Sequence, residues 1–74
     1  MNLATCTQRA LVRILDVGLD GHVRLRLSEL GLRPGALVEV THDVRSQGRV
    51  VAVGAERFAL DHRTCSGIQV EVAG

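Results

Sequence analysis

The sequence predicts a small, mostly β domain in which five short strands curl into a barrel, with one short α-helix between the first and second strands. Three observations predict it. The chain has 74 residues, which is room for a single domain over residues 1–74 and no more. Apolar residues make up 46% of it, drawn mainly from Leu, Val and Ala, which is ample for the economical core that so short a chain must build. Short runs alternating apolar and polar residues recur along the chain, punctuated by glycines, as half-buried strands and tight turns require.

The first strand is expected over Ala10–Leu15, with Val12 and Ile14 on one face and Arg13 on the other, ending at the turn signal Gly18-Leu19-Asp20-Gly21. The second is expected over Ala36–Thr41, where Val38 and Val40 alternate with Glu39 and Thr41. Arg49–Val53 is apolar on both faces and so predicts a strand flanked on both sides. Gly54-Ala55-Glu56 then makes a tight connection to Arg57–Leu60. Ile68–Val72 is the last strand, with Ile68, Val70 and Val72 expected inward and Gln69 and Glu71 outward.

His22–Leu30 admits two readings. Val23, Leu25 and Leu27 alternate with Arg24 and Arg26 as in a strand, yet Val23, Leu27 and Leu30 also share one helical face. Good helix formers and a glycine placed as a left-handed C-cap, Gly31, favour the helix. Arg33-Pro34-Gly35 follows as a turn, with Pro presetting one backbone angle and Gly free to take positive φ.

Composition excludes several classes. The formal charge is +1, from nine Arg and no Lys against eight carboxylates, so no bulk field draws the chain to nucleic acid or acidic membranes. Phe58 is the one aromatic residue, which leaves no stacking platform for bases. No apolar run is long enough to insert in a membrane, and the first residues lack a signal-peptide pattern, so the expected location is cytoplasmic. Cys6 and Cys65 are then expected as buried thiols rather than a disulfide.

The stretch Arg26-Leu27-Ser28-Glu29-Leu30-Gly31-Leu32-Arg33-Pro34-Gly35 resembles the R-L-x-x-L-G-L-x-P-G signature of the FeoA family. Similarity continues through Arg13-Ile14 and Asp20-Gly21 upstream and through Ala36–Val40, Arg57–Leu60 and Thr64–Val72 downstream. The resemblance implies an SH3-like barrel. Leu27 and Leu30 would pack the helix over its mouth, and Gly31, Pro34 and Gly35 would reverse the chain into the next strand. The chain departs from the family pattern at Gln8-Arg9, where members often carry a Pro-Gly turn, and at Cys6, where an apolar residue is common.

The resemblance further implies a cytosolic accessory module of ferrous-iron uptake whose partner is the membrane transporter FeoB, with no catalysis and no required cofactor. Arg24, Arg26 and Arg33 are the candidate docking residues, because guanidinium groups pair bidentately with carboxylates. The alternative is a small metal-binding protein. Cys6, His22, His42, Asp43, Asp61, His62 and Cys65 are the possible ligands, and His62 and Cys65, three apart, could form half of an Fe2+ or Zn2+ site. No paired Cys or His signature completes it. FeoA-like domains also end DtxR-type iron regulators, but an initial Met and no preceding DNA-binding helices favour a stand-alone protein. No G-x-S-x-G elbow or phosphate loop is present, and no His is flanked as a catalytic base. Exposed strand edges in a partly open barrel would allow a homodimer.

Overall fold

Alternation along Leu11–Val17 builds the first strand, β1, which buries Val12, Ile14 and Val17 and turns Leu11, Arg13 and Leu15 outward. The computed structural model describes residues 1–44 and 47–73. After β1 come α1 (Gly21–Glu29), β2 (Leu37–Val44), β3 (Gly48–Val53), β4 (Glu56–Asp61), α2 (His62–Ser66) and β5 (Ile68–Val72). The strands form one antiparallel sheet in the order β4-β3-β2-β1-β5. All five fall where alternation predicts them, and β3 is flanked on both sides as its two apolar faces require.

The topology forces the sheet to curl. In a flat sheet the edge strands β4 and β5 would lie about 19 Å apart, four spacings of roughly 4.8 Å. Yet they are consecutive in the chain, joined only by α2 and Gly67, and five helical residues rise about 7.5 Å. The edges therefore approach each other, with α2 spanning the opening of a partly open barrel. Bulges between Ile14 and Asp16 and between Val40 and His42 add the local bend and twist this needs.

Inside lies one core of Leu3, Cys6, Val12, Ile14, Val17, Leu27, Leu32, Val38, Val40, Val51, Cys65, Ile68 and Val70. The alternation of β2 and β5 is as expected except at Val72, which ends its strand and is 65% exposed rather than inward.

The ambiguous stretch is helical. Asp20 caps α1 by accepting hydrogen bonds from the backbone N–H groups of His22 and Val23 at 3.1 and 3.2 Å. At the other end Gly31 takes φ 95°, so that Leu32 N–H donates to the Leu27 carbonyl and Gly31 N–H to that of Ser28. This closure decides which leucine is inside. It folds Leu32 back over Leu27 and buries both, whereas Leu30 is left 42% exposed. The expectation that Leu27 and Leu30 together cover the barrel is thus corrected: Leu27 and Leu32 do so. Pro34 and Gly35 (φ 92°) complete the turn, with Ala36 N–H donating to the Arg33 carbonyl at 3.0 Å and Gly35 N–H to that of Ile14 at 2.8 Å.

Two further features were not foreseen. Besides the single expected helix there is a second, α2, capped by the Asp61 carboxylate, which accepts from Thr64 N–H at 2.7 Å. Before β1 the chain turns through Arg9, a non-glycine residue at φ 73° whose N–H donates to the Val40 carbonyl.

A candidate docking surface around the first helix

Helix α1 shows solvent more than core. It buries Leu27, while Arg24, Leu25 and Arg26 are exposed, Leu25 to 63%. The reason is local: a helix spanning the loop between two neighbouring strands touches the barrel along one narrow stripe, and the residues between successive stripe positions must face water.

The turn after α1 completes a groove of about 440 Å³, lined by Val17, Gly21, Arg24, Leu25, Ser28, Leu32, Arg33 and Pro34. Gly21, Arg24 and Ser28 share one helix face at spacings of three and four. Leu25 and Pro34 give the groove exposed apolar surface over the buried Val17 and Leu32, and Arg24 and Arg33 add two guanidinium groups. Among the described residues the one ion pair is elsewhere, Arg49 to Asp43 at 3.4 Å, so neither groove arginine is neutralised by a carboxylate there. Such a groove suits an apolar side chain flanked by carboxylates.

The three arginines singled out from the sequence therefore separate. Arg24 and Arg33 meet at this groove. Arg26 turns to a second groove of about 380 Å³ between α1 and β4, with Val23, Leu27, Leu30, Ala59, Leu60, Asp61 and Thr64. Leu25 and Leu32, missed as groove residues, were visible in the sequence only as apolar positions; nothing in their spacing says which faces outward.

His62 and Cys65 share α2 but not an environment. His62 is exposed at the helix start, whereas Cys65 is fully buried with its thiol 3.7 Å from the Leu60 carbonyl. Among the described residues no three of His, Cys, Asp and Glu lie together so as to hold a metal ion. Asp61 serves as the α2 cap, and hydrogen bonding from Thr64 holds its carboxyl below the usual carboxylate range.

The most connected side chain was not foreseen at all. Arg49, on β3 and only 10% exposed, donates to the carbonyls of Leu3 at 2.9 Å and Cys6 at 2.5 Å, and to Asp43. It ties the N-terminal turn to the barrel. Burial pushes the thiols of Cys6 and Cys65 upward, outweighing the opposing pull of the Arg49 charge. Both are free thiols.

Among the described residues no helix is long and apolar enough to cross a membrane. The FeoA domain family model matches residues 1–72. Iron(II) transport protein A from Clostridium thermocellum superposes with a TM-score of 0.89 at 25% identity, over 97% of this chain and 45% of that one. The FeoA protein from Chlorobium tepidum gives 0.92 at 23% identity, covering 100% of this chain and 71% of the other. An iron uptake regulatory protein (FeoA) known from a crystal structure gives 0.86 at 21% identity, over 95% and 93%. This chain thus spans less than half of the Clostridium thermocellum protein. No curated protein matches it significantly.

Proposed function

This chain belongs to the FeoA domain family, and from that premise we propose that it is a cytoplasmic accessory module of ferrous-iron uptake that acts by docking, with FeoB as its partner. The observation that supports docking is the groove beside α1, where two arginines with no carboxylate partner among the described residues border apolar surface that includes the exposed Leu25. Similarity to an iron(II) transport protein A and to an iron uptake regulatory protein supports a place in that pathway. On this reading the partner inserts an aliphatic or aromatic anchor between α1 and the Arg33-Pro34 turn and sets carboxylates against Arg24 and Arg33. No catalytic step is assigned, because the groove gathers no nucleophile and base together.

The test is capture of the purified chain by the cytoplasmic domain of FeoB, in nucleotide-bound and nucleotide-free states. Leu25→Asp is expected to weaken capture about tenfold or more, and Arg24→Glu with Arg33→Glu to do the same while leaving the fold intact. Absence of capture in every nucleotide state, or capture indifferent to all three substitutions, rejects this surface. Metal binding at His62 and Cys65 has less support, since using the Cys65 thiol requires opening the core around it. Titration with Fe2+ or Zn2+ tests it through the joint effect of His62→Ala and Cys65→Ser.

A further inference from the structure

We propose that the outer edge of β4 is a self-association surface, on which a second copy of this chain adds its own β4 antiparallel in a register centred on Ala59.

The edge is bare. β4 pairs with β3 alone, and among the described residues no backbone hydrogen bond reaches its other side. Packing against β3 shows which of its groups face out. A Cβ on Gly48 of β3 would run into the Leu60 carbonyl oxygen, so that carbonyl points at β3. Main-chain groups alternate sides along a strand, and those of Arg57, Ala59 and Asp61 therefore face away from β3.

Those three residues complement themselves. With Ala59 opposite Ala59 of the second copy, Arg57 stands opposite Asp61 and Asp61 opposite Arg57, giving two cross-strand ion pairs related by a twofold axis. Phe58 then opposes Leu60 on the half-buried face, next to the exposed Leu30 in the groove between β4 and α1. A register shifted by two residues loses both ion pairs. One shifted by a single residue sets outward groups against groups already bonded to β3. Charged residues on a bare edge ordinarily discourage indiscriminate pairing; here their order leaves one self-pairing satisfied. A six-residue strand is a small contact, below the roughly 1,200 Å² of a standard interface, so association is expected to be concentration-dependent.

Sedimentation across micromolar to millimolar concentrations is the test. The expected result is a monomer–dimer equilibrium. Ala59→Pro removes an outward N–H without breaking the β3 ladder and is expected to weaken dimerisation about tenfold or more while far-UV circular dichroism stays native. Arg57→Glu, which retains the backbone, is expected to weaken it as well. Ala59→Cys should form an intermolecular disulfide, since directly opposed residues of a hydrogen-bonded antiparallel pair have Cα atoms about 5.5 Å apart, within disulfide reach; Arg57→Cys should not, because its symmetry mate is too distant. A chain monomeric throughout, a dimer indifferent to Ala59→Pro and Arg57→Glu, or cross-linking at position 57 instead of 59 overturns the proposal. Capture of an unrelated extended peptide by a monomeric chain overturns it too.

Discussion

The two edges of the sheet end differently. At β5 the chain covers its own edge: Leu3 N–H donates to the Ile68 carbonyl, Val70 N–H to that of Met1, and Asn2 bridges to Gln69. Leu3 fills the core below, and Arg49 reaches from β3 to hold the segment by the carbonyls of Leu3 and Cys6. At β4 nothing comparable exists among the described residues, and the groove beside it is lined by half-buried or exposed side chains such as Val23, Leu30 and Ala59. A barrel of this size must leave an opening somewhere, because five strands joined through a five-residue helix do not close their ladder. The contrast teaches that the opening's two sides have different fates. One is sealed by the N-terminus, which the part-buried Arg49 side chain holds in place, and the other is left uncovered among the described residues.

Breaking the sealed side should have the largest effect. Leu3→Ala is expected to cost about 3 kcal/mol, since it removes a fully buried leucine at a place where the surrounding barrel cannot collapse. Chemical denaturation measures it, and hydrogen exchange should show the Val70 amide losing protection before the β2–β3 amides do. Arg49→Met keeps most of the aliphatic volume but orphans two carbonyls; a loss of about 2 kcal/mol is expected, read by the same denaturation. An unchanged stability in this variant would show that the N-terminal segment holds without its anchor.

Acidity and alkalinity sharpen the same contrast through α2, which joins the two edges. The Asp61 carboxyl is held low in the fold, so its capping contribution is present above the ordinary carboxylate value of 3.8 and is lost as pH falls through the lower folded value. Protection of the first α2 amides, Thr64 above all, should decline there, and Asp61→Asn should flatten that decline. The thiols behave oppositely. Cys6 and Cys65 are raised, so their contribution is intact below the ordinary thiol value of 9.0 and disappears as pH rises through the folded values. Alkaline melts should show stability falling in that range, and native thiols should alkylate slowly at neutral pH.

The open side should respond least. Leu30→Ala is expected to change stability by less than about 1 kcal/mol, because its side chain is already 42% exposed, whereas Leu32→Ala should cost several times as much. Equal effects at the two positions would overturn the assignment of Leu32 as the inward leucine.

Strand alternation carried most of the fold into the open. Val12 and Ile14, Val38 and Val40, and Ile68 and Val70 are buried as a period of two demands, and Val72, the last residue of its strand, is exposed. The signature from Arg26 to Gly35 marked α1 and its two reversals, since positive φ at positions 31 and 35 needs glycine wherever the chain lies. It pointed to Leu30 rather than Leu32, because ideal helical spacing continues a face that the helix closure bends away. The candidate docking residues were legible as a type and not as a set: three arginines close in sequence divide between two grooves once the helix is wound.

By itself the sequence determined the number and place of the strands, the existence and ending of α1, and kinship with the FeoA domains, all of which follow from short-range patterns. Tertiary structure alone decided that Arg49 clasps the N-terminal turn, that Cys6 and Cys65 share its neighbourhood, that α2 spans the opening, and that β4 is the bare edge. The Arg49 clasp and the meeting of the two thiols join residues tens of positions apart, and local periodicity carries no information about which strand ends up beside which. Only the curl of the sheet brings them together.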